Sequence, residues 1–357
     1  MAVRPAVPVL FLGGLGRSGS TLLELILAQG DDVCAVGEVV HLWERGLRLD
    51  ERCGCGERFS GCPFWTQVGA RAFGGWSTVD TGEVAALKDQ VDRTRHLPWL
   101  ARARLPERRL AAVRRYAHLY TQVYAAAAEV SGAAAVVDSS KHASLAFALR
   151  WAEGLDLRVV HLVRDSRAVA HSWARRVRRP EVADAEAYMP TFSPVQVSAL
   201  WTVQNLAFDV LAARRAPARL PVARIRYEDF TADPRATVTA VRRLAGLPDD
   251  PAALRVLDQP PVSPRPAHTV AGNPLRFARG PLRVRADEEW RTGFPTGARA
   301  LVGALTLPLR LRYGYHGGPA AAPARTRLDP ATAGPDAAAG RPGRHRAGVP
   351  DDPKERA

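Results

Sequence analysis

Lysine is almost absent from this chain. It occurs at 88, 141 and 354, and every other basic residue is an arginine. Long apolar runs are absent too. None approaches the roughly eighteen residues of a membrane span, so no spanning helix is expected. The apolar stretch near the N-terminus is too short for a secretory signal. It also runs into a glycine turn without a small-residue cleavage pattern, which predicts a cytoplasmic protein. Cysteine is confined to positions 34, 53, 55 and 62. The last three lie in CGCGERFSGCPFW, as CxC and then six residues to the third, not as the paired CxxC or Cys/His sets of a zinc site. Cys34 or His41 would be needed to complete a set of four. Nothing in the spacing requires a metal, and a compact turn with reduced thiols is expected. No stretch interleaves basic with aromatic residues as a base-stacking surface does. The net charge of +14 then points to small anionic ligands. A basic nucleic-acid-binding protein is kept as an alternative, which a steep salt dependence of DNA affinity without cofactor binding would favour.

What is present suits a soluble α/β chain. Its 357 residues allow one large domain or two small ones. Apolar runs predict buried strands at 7–13, 133–139, 155–165 and 221–230, since continuous runs bounded by glycine fit burial on both faces. Helices are predicted after each, at 20–29, 142–152, 166–178 and 234–245. Strands alternating with helices imply a parallel sheet with right-handed crossovers. The expected fold is α/β, P-loop-like, with three layers and a central parallel sheet flanked by helices. Two helical insertions interrupt it, near 83–130 and 193–216. In the first, Leu110, Val113, Ala117, Tyr120 and Tyr124 recur at helical spacing on one face, and Arg108, Arg109, Arg114 and Arg115 fall on solvated faces. In the second, Trp201 and Phe208 read as core.

After Tyr315 the composition turns to Ala, Pro, Gly and Arg, which cannot bury enough surface to offset ordering entropy. Residues 1–315 are expected to form the domain and 316–357 a disordered tail. Deleting 318–357 should leave the melting temperature and cofactor affinity little changed. A large drop in melting temperature would contradict this reading.

The chemistry concentrates in GRSGSTLL, residues 16–23. It follows an apolar strand and opens a helix. The first N–H groups of a helix lack intrahelical partners and, with the helix dipole, bind anions. Gly16 and Gly19 allow close approach of the backbone. Ser18, Ser20 and Thr21 add hydroxyls, and Arg17 adds a planar fork. Gly14 to Gly19 has the glycine spacing of a phosphate loop, yet Ser20 stands where GxxxxGK[ST] has lysine. A second oxyanion group follows in LVRDSRAVAHSW. There Arg164 sits at the carboxyl end of a strand, where α/β sheets bind ligands, and Ser172 comes eight residues later.

These two segments together resemble the sulfotransferases that use 3′-phosphoadenosine 5′-phosphosulfate. GRSGST is similar to the family's 5′-phosphosulfate loop, in the arginine form seen in tyrosylprotein and carbohydrate sulfotransferases. LVRDSRAVAHSW is similar to its 3′-phosphate segment, and VVDSSKH, RYEDF and HTVAGNPLRF resemble segments of bacterial members. The resemblance covers most of residues 7–292. It implies that Arg17, Ser18, Gly19, Ser20 and Thr21 hold the 5′ side and that Arg164 and Ser172 hold the 3′-phosphate. Tyr227, Gly272, Asn273 and Arg276 would complete the cofactor pocket. It also implies a hydroxyl- or amine-bearing acceptor, which is a small molecule, carbohydrate or lipid, and no metal requirement. A sulfuryl group carries less charge than a terminal phosphoryl group, so its loose transition state needs positioned donors more than a divalent cation.

The acceptor must lose a proton to a general base. Glu38, in the Gly37-Glu38 dipeptide, resembles the glutamate base of the tyrosylprotein branch. His41 and His142 are the candidates if the chain follows the small-molecule branch, which uses histidine. Lys141 is placed to stabilise charge on the leaving oxygen. The alternative enzyme is a P-loop phosphotransferase acting on a nucleotide or sugar, against which the missing loop lysine argues.

Overall fold

The computed structural model describes residues 6–182, 186–215, 219–257, 265–280 and 284–316. The expected tail lies, beyond His316, outside the described residues. Five strands form one parallel sheet: β1 Val7–Gly13, β2 Val33–Gly37, β3 Ala135–Lys141, β4 Leu155–Val163 and β5 Val222–Arg226. Their order is β2-β3-β1-β4-β5. β1 is central, with Val9 opposite Val136 on one side and Leu157 on the other.

Why the runs are continuously apolar follows from the alternation of side chains across a strand. Val9 and Phe11 enter one core with Val36, Val136, Val159 and Tyr120 of the helix Glu107–Ser131. Leu10 and Leu12 enter the other, with Leu23, Val160, Ile225 and Val241 of the helix Pro234–Leu244. Both faces are covered, so neither set of side chains can be polar. This is the expected three-layer α/β architecture.

Several boundaries differ from the sequence reading. β2 was not expected: VCAVG is short and carries only small and β-branched residues. The stretch expected as a strand to 230 leaves the sheet at Arg226, and Tyr227–Ala232 is helical, with Glu228 and Asp229 in its first turn, where acidic side chains favour a helix start. The helix Ser166–Ala174 stops before 178 because Arg175 is extended. In Glu107–Ser131, Val113, Ala117, Tyr120 and Tyr124 are buried, but Leu110 is only half-buried and the four arginines are exposed. Trp201 and Phe208 are fully buried in the helix Pro194–Ala213. Among the described residues no helix is long and apolar enough to cross a membrane.

Candidate active site

All the candidate chemistry lies beyond the carboxyl ends of the strands. Between β1 and the helix α1, Ser20–Leu27, the chain makes the glycine turn. Gly19 has φ 93°, and a Cβ there would lie 2.6 Å from the Tyr227 ring, so no other residue fits. No side chain caps α1 and its first turn carries no acidic residue. Its first amides thus have no side-chain acceptor, the condition in which a helix start can take an anion. Ser18, Ser20 and Thr21 are buried around this turn. Arg17 has φ 75°, a left-handed conformation that costs about 1–2 kcal/mol for a residue with a side chain. Its neighbours hold it there. The Trp173 indole N–H donates to the Gly16 carbonyl at 3.0 Å, and the Arg17 guanidinium lies 5.0 Å from the Trp173 ring centre. Burial lowers the pKa of Arg17, with Glu38 opposing.

β2 and β3 deliver a second group. Glu38 follows β2 and donates its backbone N–H to the Val270 carbonyl at 2.7 Å. Lys141 ends β3 at φ 69°. Its ammonium pairs with the Glu38 carboxylate and donates to the Ser139 carbonyl at 2.9 Å. His41 Nε2 lies 3.7 Å from Glu38, and His142 meets His41 edge-on, with ring centres 5.7 Å apart. Burial pushes the Glu38 carboxyl up, but Lys141, and then His41, pull harder and bring it down to about 2. Burial also brings His41 down to about 3 and lowers His142. At neutral pH this second group thus holds one carboxylate and two neutral imidazoles.

β4 delivers Arg164. Its guanidinium donates to the Arg17 carbonyl at 3.1 Å and to the Asp287 carboxylate at 2.8 Å. It stacks 4.4 Å from the Tyr227 ring centre, and the Tyr227 hydroxyl donates to the Arg285 carbonyl at 3.2 Å. The Nε atoms of Arg17 and Arg164 are buried with no hydrogen-bond partner among the described residues. Ser172 is half-buried, one residue before Trp173. Gly272 runs past the Glu38 carboxylate. The Asn273 side chain accepts from the Leu275 N–H at 3.0 Å and so caps the next turn. Arg276 differs in placement from the sequence expectation. It is buried and donates to the carbonyls of Thr269 at 2.6 Å and Arg52 at 2.8 Å, so it fastens the segment that carries Gly272.

A profile of the sulfotransferase family matches residues 8–251, which is more than half of the chain. The chain belongs to the sulfotransferase family. The phosphotransferase and nucleic-acid alternatives give way to it. No curated protein matches this sulfotransferase. Solved structures similar to it include the sulfotransferase domain of a Synechococcus olefin synthase, at 21% identity and TM-score 0.48, over 88% of this chain and 98% of that one. A second is a sulfotransferase domain from the curacin biosynthetic pathway, at 16% identity and TM-score 0.45, over 85% and 98%. A third is a sulfotransferase from Mycobacterium tuberculosis, at 14% identity and TM-score 0.42, over 86% and 78%.

Three residues of this sulfotransferase's site escaped sequence reasoning. Trp173 and Asp287 touch Arg17 and Arg164 only through the fold. The third, Glu24, reads as an ordinary helix residue but is buried. It accepts from the Gly37 N–H at 2.8 Å and from the Ser139 hydroxyl at 2.7 Å, so it ties α1 to the ends of the strands that carry Glu38 and Lys141. Burial raises its carboxyl pKa to about 7, against the Ser139 hydrogen bond and Lys141. A carboxyl raised on folding binds its proton more tightly in the native state. Its contribution is therefore full below the unfolded pKa and is lost as pH rises from about 4.5 to 7. The loss is roughly 3 kcal/mol at about 1.4 kcal/mol per pKa unit. Glu24→Gln stays neutral and keeps one acceptor, so its stability relative to wild type should climb by that order over the same window. Urea midpoints at several pH values check this. A constant difference across pH would mean that Glu24 does not titrate there.

Proposed function

We propose that this sulfotransferase moves a sulfuryl group from 3′-phosphoadenosine 5′-phosphosulfate to a hydroxyl or amine of its acceptor, with Glu38 as general base. What carries the reading is the convergence of Arg17, Glu38, Lys141 and Arg164 from four adjacent strands. Half-buried Arg17 and buried Arg164, each with a buried Nε–H that lacks a partner among the described residues, suit a donor that bears anionic groups at both ends. Arg17, Ser18, Gly19, Ser20 and Thr21 would hold its 5′ side, and Arg164 and Ser172 its 3′-phosphate. Tyr227 would orient Arg164. Gly272 and Asn273 would complete the pocket, held in place by Arg276. The donor supplies the activated sulfuryl group, and the chain supplies positioning and charge.

Lys141 connects binding to proton removal. While its ammonium rests on Glu38, that carboxylate is a weak base. Drawing the ammonium toward the leaving oxygen takes away the charge that lowers the Glu38 pKa, so the carboxylate becomes more basic when an acceptor needs it. This role for glutamate favours kinship with the tyrosylprotein and carbohydrate branch. The acceptor class is a small molecule, a carbohydrate or a lipid.

Calorimetry with adenosine 3′,5′-bisphosphate tests the donor, and a screen of acceptors with labelled donor follows. Binding without added metal, and turnover that does not depend on added magnesium, are expected. A chain that ignores the bisphosphate but binds a nucleoside triphosphate with magnesium would refute the donor assignment.

A further inference from the structure

The thiols that looked incomplete in sequence acquire a fourth partner in the fold. Cys53, Cys55, Cys62 and His268 bring their ligand atoms within 4.8 Å of one another. His268 Nδ1 lies 3.2 Å from the Cys62 sulfur and 3.9 Å from the Cys53 sulfur. The Cys55 and Cys62 sulfurs are 3.8 Å apart. A tetrahedral zinc with bonds of about 2.3 Å to sulfur and 2.0 Å to nitrogen has edges of about 3.8 Å between sulfurs and 3.5 Å between sulfur and nitrogen. The observed separations bracket those edges. They are much longer than a disulfide bond of about 2.0 Å, and all four cysteines are free. Cys34, buried in β2, and His41, the two sequence candidates for the fourth position, lie outside the group.

We propose that Cys53, Cys55, Cys62 and His268 bind one structural zinc ion. With four protein ligands the site is closed, which is the mark of a structural rather than a catalytic zinc. The surroundings are built for it. The Phe64 ring stacks on the His268 imidazole at 5.0 Å and fixes its plane. The Gly54 N–H donates to the Thr269 carbonyl at 2.9 Å. A Cβ on Gly54 would lie 2.4 Å from the Ala267 carbonyl oxygen, so glycine lets the two segments close. Three thiolates and a divalent cation leave one net negative charge. Arg276 compensates it from between the segments, on the carbonyls of Arg52 and Thr269.

The ion would staple the 53–62 loop to a residue 206 positions beyond Cys62. Two residues after His268, Val270 pairs with Gly37 and accepts from the Glu38 N–H. Zinc would therefore secure the segment on which Glu38 rests, without meeting the reacting atoms.

The test is metal content of the full chain purified without chelator, with cobalt(II) as the spectroscopic probe. About one zinc per chain is expected. Cobalt should give the visible absorption of a tetrahedral thiolate site, and zinc should displace it. Cys55→Ser and His268→Gln should each lower zinc content and melting temperature, whereas Cys34→Ser should keep the metal. Far-ultraviolet circular dichroism of the same samples reports folding independently of the metal and of the donor assignment. Folded protein that holds no zinc and leaves its thiols open to titration after zinc is added would overturn the proposal. So would a native disulfide among these cysteines, or zinc content unchanged in both ligand variants.

Discussion

Glu38→Gln should slow sulfuryl transfer by about 10²–10⁴-fold, the range for loss of a general base. Glutamine keeps the size of the side chain and one acceptor oxygen but cannot take the acceptor's proton. It also leaves the Lys141 ammonium without its carboxylate. Melting temperature and bisphosphate affinity must therefore be measured alongside turnover, to separate lost chemistry from lost structure. Affinity should change little, because the anion cradle lies on Arg17 and Arg164. His41→Ala and His142→Ala are the comparisons and should each cost much less. If Glu38→Gln turns over normally while one histidine variant is inactive, the base is that histidine, and the chain's closer kin are the small-molecule enzymes.

Arg164→Ala should weaken adenosine 3′,5′-bisphosphate binding by roughly 2–3 kcal/mol, the scale of a hydrogen-bonded charge, or about 30- to 150-fold. The loss should nearly vanish with adenosine 5′-phosphate, which lacks the group Arg164 is assigned to hold. Equal losses with both ligands would remove that assignment. The Asp287 carboxylate sharpens the test, because it sits on the Arg164 guanidinium at 2.8 Å. An incoming phosphate must share or displace it. Asp287→Asn should then tighten bisphosphate binding, and weaker binding would mean that Asp287 helps to build the pocket instead.

The segments legible in the sequence were those with local signatures. β1, the glycine turn and α1 could be read because a continuous apolar run, Gly16, Gly19 and helical spacing lie within about twenty residues. Arg164 could be read because it ends such a run. β2 could not: its five residues carry no long apolar signal, and its pairing with β3, a hundred residues away, makes it a strand. Glu38 was singled out by a dipeptide, but its pairing with Lys141 spans 103 positions and depends on β2 lying beside β3. The Trp173 hold on Gly16 spans 157. Arg276 was credited to the pocket on a motif, and its partners in the fold are the carbonyls of Thr269 and Arg52. His268 opens the segment HTVAGNPLRF, but a histidine so far from three cysteines gives no spacing that marks it as their partner.

The central position of β1 also shapes how the chain comes into being. β1 leaves the ribosome more than a hundred residues before its neighbours β3 and β4. At about 5–20 residues per second, the nascent strand VPVLFLG waits roughly seven to thirty seconds for partners on both sides. During that time its apolar edges are open to other chains. Contacts so distant in sequence also make for slow folding. The strand that leads into the glycine turn is thus one whose pairing must wait for distant parts of the chain.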